Sequence, residues 1–262
     1  MTTVIKLGGS AMENPSATEA VLRAVAEQQR QGNKIILVHG GGKPIDRAMA
    51  EAGLQPVKVQ GRRYTDADTL EIVVRVLKQI NGELAAQLNT LGGKGIGLDA
   101  LGRHALRGER LLLPSLDLQP IDLGFVGKVT GVETTLFNDT TTIPILASVA
   151  VGAEGMLNIN ADSAASAVAG AVQAESCLFL TDTPGVLKDR HDPGSLATQL
   201  TEAECREWIA TGIIDGGMIP KVEACLEALD AGAGCAVILD GRDPHSLLRW
   251  FTGEATGTRI VR

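Results

Sequence analysis

Aromatic side chains make up only 3% of this 262-residue chain, although 44% of it is apolar. A core built on rings is excluded. Val, Ile, Leu and Ala must fill it, as they do in a parallel sheet covered by helices. Positive charge is also short, with a net charge of −7. That argues against a nucleic-acid-binding surface, which needs clustered Lys and Arg. It leaves room for anionic substrates, because a few local cations override a diffuse negative field. Only four cysteines occur, Cys177, Cys205, Cys225 and Cys235, none at the two-residue gap of a metal knuckle. They read as reduced, mostly buried thiols of a cytoplasmic protein, and no metal site is expected. No run of 18 apolar residues and no basic-then-apolar leader occurs, so neither a membrane span nor a signal peptide is expected.

What is present is an alternation of short β-branched runs with longer helical patterns, the signature of βαβ units. The length suits one large α/β domain or two lobes sharing a sheet. Strands are expected at Val4–Leu7, 34–38, 95–98, 128–130, 143–147, 176–181 and 235–239. Helices are expected at 17–31, 43–52, 66–91, 160–174, 202–211, 218–231 and 244–251. Thr65 is the expected N-cap of the third helix. Residues 103–132 read as a hairpin-rich excursion. A soft boundary near residue 175 divides an N-terminal lobe, 1–175, from a C-terminal lobe, 176–262.

Chemistry concentrates at the strand ends. Lys6-Leu7-Gly8-Gly9-Ser10 places a lysine before two glycines whose N–H groups can approach a phosphate. His39-Gly40-Gly41-Gly42-Lys43-Pro44 follows the second strand. Three successive glycines exceed the needs of one tight turn and suggest backbone lying against a ligand. His39 is assigned to packing or support rather than catalysis. Gly61-Arg62-Arg63-Tyr64-Thr65 offers an arginine that can clamp a carboxylate. Asn158-Ile159-Asn160-Ala161-Asp162 sits at a strand-to-helix junction; Asn160 is explained as an N-cap, but Asn158 and Asp162 are not. Leu180-Thr181-Asp182-Thr183-Pro184-Gly185-Val186-Leu187 and Asp215-Gly216-Gly217-Met218-Ile219-Pro220-Lys221 complete the set. Two lysines, one aspartate and several glycine-rich loops, with no convincing Ser–His or Cys–His arrangement, are the inventory of phosphoryl transfer. No Gly-Lys here is followed by the Ser/Thr of a Walker A loop. Gly95-Ile96-Gly97 mimics a dinucleotide fingerprint, but Gly102-Arg103 interrupts any helix after it.

In this order the motifs resemble those of the N-acetylglutamate kinases, a branch of the amino-acid kinases, from Val4 to Ile260. The resemblance implies a three-layer α/β/α sandwich around a mainly parallel open sheet, the carbamate kinase-like fold. It implies an acyl-substrate lobe, also used for dimerisation, and an ATP lobe. The reaction would move the γ-phosphoryl of Mg-ATP to the side-chain carboxylate of N-acetyl-L-glutamate, a step of arginine biosynthesis. Position by position, Lys6 and Lys221 resemble the cations flanking the phosphoryl group, and Asp162 the carboxylate holding both. Gly8 and Gly9 resemble the phosphate loop. Gly41, Gly42, Arg63 and Asn158 resemble acyl-substrate contacts. Asp182, Thr183, Pro184, Gly185, Val186 and Leu187, with Ile213, Ile214 and Asp215, resemble nucleotide contacts.

There are departures from the pattern. Ser10 stands where most relatives have Asn, and Asp99-Ala100-Leu101-Gly102-Arg103 replaces a Gly-Lys-Asp-Gly stretch. The early position of Lys6 leads to the expectation of an arginine-insensitive homodimer. Two other readings stay open: a kinase of a related acyl amino acid such as an aminoadipate derivative, and a non-catalytic nucleotide sensor.

Overall fold

A computed structural model describes residues 1–114 and 119–262; the side chain of Ser10 also lies outside the description. The chain begins with β1 (Thr2–Leu7), α1 (Gly9–Glu13), α2 (Pro15–Arg30), β2 (Lys34–His39) and α3 (Gly42–Glu51). A two-stranded hairpin, β3 (Lys58–Val59) and β4 (Arg62–Arg63), leads to the long α4 (Ala67–Thr90) and the short β5 (Gly95–Gly97). Then come β6 (Leu106–Leu113), β7 (Ile121–Val132), β8 (Ile143–Ala147), β9 (Val149–Gly152), β10 (Gly155–Ile159) and α5 (Ala161–Ala171). The remainder is β11 (Ser176–Thr181), β12 (Gln199–Thr201), α6 (Glu202–Ala210), α7 (Ile219–Asp230), β13 (Ala236–Asp240), α8 (Ser246–Thr252) and β14 (Thr258–Val261).

Eight strands form the main sheet in the order β12-β14-β13-β11-β1-β2-β8-β5. Every neighbouring pair is parallel except β13 with β14. Both faces are covered, and the strands show why their sequences are apolar throughout. Val4, Cys177, Phe179 and Ile238 turn to one side, where α5 and α7 pack. Ile5, Leu7, Leu178, Leu180 and Val237 turn to the other, toward α2, α4 and α8. Side chains alternate across a strand, so a strand covered on both faces must be apolar at every position. The three-layer sandwich is therefore present.

The hairpin expected within 103–132 is present among the described residues. β6 and the twelve-residue β7 pair antiparallel, and with β9 and β10 they close a small barrel beside the main sheet. β9 and β10 carry no clear strand pattern in the sequence, because their half-buried faces mix Gly, Asn and Met. Asp66, not Thr65, caps α4: its side chain accepts the Thr69 N–H at 2.9 Å. Thr65 is buried instead, with its N–H bonded to Leu123 O at 3.0 Å and its carbonyl to Phe125 N–H at 2.7 Å. β5 is followed by turns and β6 rather than a helix, so Gly95-Ile96-Gly97 has no dinucleotide geometry. All four cysteines are buried and free. Burial pushes the Cys205 thiol up to about 11 and the Cys177 and Cys225 thiols higher, which leaves them unreactive.

Candidate active site

The C-terminal ends of β1, β2 and β11 lie side by side, so Gly8, Gly40 and Asp182 emerge at one edge of the sheet. Open α/β sheets bind ligands at this edge. Here it opens into a cleft of about 660 Å³. Seven cationic side chains and four carboxylates line the cleft, a local excess of three positive charges. In a chain of net −7, that excess marks the cleft as a place for anions.

Lys6 and Lys221, on β1 and α7, both line this cleft. The Lys6 ammonium lies 2.8 Å from Asp162 Oδ1, in the first turn of α5. Asn160 caps that helix, accepting the N–H groups of Asp162 and Ser163 at 2.8 and 3.1 Å. One expectation is corrected here: Asp162 does not hold both lysines. The ion partner of Lys221 is Asp182, at 3.0 Å, just beyond the end of β11. α7 packs beside α5, and Asp182 follows the end of β11. The Lys221 hydrogen bond holds the Asp182 carboxyl below its usual range, so this pair is charged at neutral pH.

The opposite end of the cleft is built from the three-glycine loop, the β3–β4 hairpin and β10. A Cβ on Gly41 would lie 2.8 Å from Leu77 Cδ2 and 3.2 Å from both Ile45 and Ile80, so the loop is pressed onto α4. A Cβ on Gly42 would meet open space. The Arg63 guanidinium pairs with Asp46, donates to Gly42 O at 3.4 Å and lies 3.1 Å from Met49 Sδ. Asn158 Nδ2 donates to Thr65 Oγ1 at 3.1 Å. All four residues line the cleft.

Of the expected nucleotide contacts, Gly8, Gly9 and Asp182 line the cleft, whereas Thr183, Pro184, Gly185, Val186, Leu187, Ile213, Ile214 and Asp215 do not. Val186 and Ile214 are buried in the core, and Asp215 pairs with Arg190 at 3.2 Å. Gly185 is needed locally: at φ +144°, a Cβ would press to 2.6 Å from Thr258 Oγ1. Sequence reasoning missed Arg242, Asp46, Lys43 and Glu13, which also line the cleft. None sits in a glycine-rich motif except Lys43, whose ammonium is taken by Glu13 at 2.6 Å.

His39 is fully buried beneath the glycine loop. Its Nδ1 is 3.0 Å from Gly40 O and its Nε2 is 3.1 Å from Asn81 Nδ2. Burial pushes its imidazole below the ordinary value, against the opposing Gly40 bond and the Asp99 charge. A neutral ring protonated at Nδ1 satisfies both contacts, donating to the carbonyl and accepting from the amide. Asn81 also donates to Ile145 O and accepts from Ala100 N–H. The histidine therefore supports the loop from below.

Known proteins agree with this architecture. Residues 1–240 match the model of the amino acid kinase family. The chain belongs to the amino acid kinase family. It is 41% identical to an acetylglutamate kinase of Symbiobacterium thermophilum, across all of this chain and 92% of the relative. It is 40% identical to an acetylglutamate kinase of Desulforamulus reducens, covering 99% and 91% of the two chains. Among solved structures, the carbamate kinase of Giardia lamblia superposes with a TM-score of 0.68 over all of this chain and 98% of that one. At 16% identity, that likeness speaks for the amino acid kinase fold alone.

Proposed function

We propose that the protein is an acetylglutamate kinase, moving the γ-phosphoryl group of ATP onto the side-chain carboxylate of N-acetyl-L-glutamate in arginine biosynthesis. The observation that carries this reading is one cleft lined by Lys6 and Lys221, from opposite ends of the chain, together with glycine loops at its two ends. Full-length relatives of that name, near 40% identity, support the choice of substrate.

The physical account starts from charge. A transferring phosphoryl group spreads negative charge over its oxygens, so catalysis is mainly positioning and neutralisation. Lys6, held by Asp162, and Lys221, held by Asp182, are ammonium groups fixed before the reaction begins. Preorganised charge needs no rearrangement as the transition state forms, and this raises turnover. The backbone at Gly8 and Gly9 receives phosphate oxygens, and the loop at Gly41 and Gly42 receives the acyl substrate. Arg63 and Asn158 shape the acyl end. Asp182 joins Gly8 and Gly9 on the nucleotide side of the cleft. Residues 1–175 and 176–262 then act as acyl and nucleotide lobes of one sheet.

Mg2+ fits this site as an ion carried by the nucleotide. Both carboxylates at the lysine end are already paired with ammonium groups, so they suit outer contacts better than a protein cage. When bound, such an ion neutralises charge on the phosphate oxygens. Homodimerisation and a cytoplasmic setting belong to the same reading, and light scattering on the purified protein tests the first.

A coupled ADP-release assay tests the function. N-acetyl-L-glutamate is expected to support turnover well above free glutamate and above the homologue one carbon longer. Preference for the longer acid would transfer the assignment to an aminoadipate-type kinase. No ADP release with any of the three would remove it.

A further inference from the structure

Three strands bring their ends to the floor of the cleft in one row. Leu7, His39 and Ala147 are register partners across β1, β2 and β8, so Gly8, Gly40 and Ser148 follow side by side. Neighbouring strands stand about 4.8 Å apart, which puts Ser148 about 10 Å along the row from Gly8. Side chains alternate along a strand and match across a parallel pair, so position 148 faces the same side of the sheet as Lys6. A Cβ on Gly40 would meet Ala161 Cβ at 3.1 Å, which places the start of α5 over that side.

The backbone holds Ser148 in place. Its N–H donates to His39 O at 3.0 Å, and its carbonyl accepts the Ile159 N–H at 3.0 Å. The preceding N–H, of Ala147, donates to Asp99 Oδ2 at 2.7 Å. Asp99 is itself buried, with His104 Nδ1 2.8 Å from its other oxygen. Asp99 opens the stretch that departs from the family pattern, so that departure anchors the corner between β8 and β9.

The hydroxyl is left unused. Ser148 is only 3% exposed and lines the cleft, yet its Oγ makes no hydrogen bond among the described residues. No fully enclosed side-chain oxygen or nitrogen among those residues lacks a partner, so this oxygen is reached from the cleft. A mostly buried hydroxyl without a protein partner is unfavourable until a ligand or water completes it.

We propose that Ser148 recognises the acyl group of the acceptor: its hydroxyl donates to the carbonyl oxygen of the N-acyl amide. This rests on the kinase reading above and deepens it with a specificity residue that the resemblance leaves unassigned. The lysines and glycine loops serve carboxylate and phosphate oxygens. The amide remains, and it needs an acceptor for its N–H and a donor for its oxygen. Asn158, paired with Val149 across β9 and β10, supplies the acceptor: its Nδ2 is taken by Thr65 Oγ1, while its Oδ1 has no partner among the described residues. Ser148, next to Val149, supplies the donor. A free amino acid has no such oxygen, so this bond favours the acylated acceptor.

The test compares N-acetyl-L-glutamate with N-thioacetyl-L-glutamate, whose sulfur is a weak hydrogen-bond acceptor in place of the oxygen. Titration calorimetry would follow both ligands in the wild-type protein and in Ser148→Ala. The substitution should weaken the acetyl ligand by about three- to tenfold, the scale of one neutral hydrogen bond, and the thioacetyl ligand by less than about twofold. The larger size of sulfur acts in both proteins and cancels in the ratio. In steady-state kinetics the loss should fall on the KM for the acceptor, with the KM for ATP within about twofold. Equal losses for the two ligands, or no loss of either, would overturn the proposal. Wild-type protein that releases no ADP with acetylglutamate fails the kinase reading itself, whereas normal wild-type turnover with equal losses in Ser148→Ala fails only this inference.

Discussion

The Lys6 ammonium group sits 2.8 Å from the Asp162 carboxylate, with 12% and 23% of the two side chains exposed. Lys6 lies one residue before the end of β1 and Asp162 in the first turn of α5, so this pair ties an inner strand of the sheet to the helix packed on it. A charge so fixed is a tool for catalysis and a liability when its partner is removed.

Asp162→Asn is expected to destabilise the protein by about 1–3 kcal/mol, because Lys6 loses its counterion in a mostly enclosed site. Turnover should fall further than stability implies, on the order of 10-fold or more, because the ammonium is no longer aimed. Urea denaturation and steady-state kinetics on one preparation measure both. Unchanged turnover in a folded Asp162→Asn protein would remove the positioning role.

Lys6→Ala and Lys221→Ala are each expected to cut turnover by roughly 10²-fold or more while the fold persists. Circular dichroism checks the fold and ADP release checks the rate. Near-normal turnover in either variant refutes the role given to that lysine.

Gly41 and Gly42 are neighbours with opposite expected outcomes. Gly41→Ala drives a methyl group against Leu77, Ile45 and Ile80, and should cost about 1–3 kcal/mol. Gly42 is the first residue of α3 and faces open space, so Gly42→Ala should leave stability within about 0.5 kcal/mol. The new methyl group lies on the cleft wall, so the KM for the acceptor should rise. Thermal unfolding and acceptor titration separate the two; equal melting temperatures would contradict the packing argument.

His39 predicts a pH dependence. Its folded pKa lies below the ordinary value, so on acidification the unfolded chain takes up a proton before the folded one does. The contribution of His39 is fully present above about pH 6.5, the ordinary value for histidine, and is lost as pH falls from there toward the lowered folded value. Stability measured in urea should decline over that window, and His39→Gln should flatten the decline. An unaltered slope in His39→Gln would mean that another group carries it.

Some of this was readable before any coordinates. The glycines after β1 and β2, and the apolar runs at 34–38, 143–147 and 176–181, announced a doubly covered parallel sheet, because buried strands need apolar residues at every position. Lys6 and Lys221 stand out as lysines that follow or precede glycine pairs, and Asp162 as a carboxylate at a strand-to-helix junction that the Asn160 cap does not explain. The small barrel escaped notice, since strands such as Gly155–Ile159 owe their pairing to neighbours rather than to their own composition. Thr65 and Asp66 both suit a cap by residue type, and only the burial of Thr65 against β7 decides between them.

The amino-acid sequence alone determined the class of fold, the excess of glycine at strand ends and the types of charged residue available for phosphoryl transfer. These follow from local periodicity and from chemistry that each residue carries wherever it is placed. Tertiary structure alone decided which charges become partners. It gave Lys221 to Asp182 instead of Asp162 and joined Arg63 to Asp46. Ion pairing acts over a few ångströms in space, and distance along a chain contains no information at that scale until the sheet has brought its ends together.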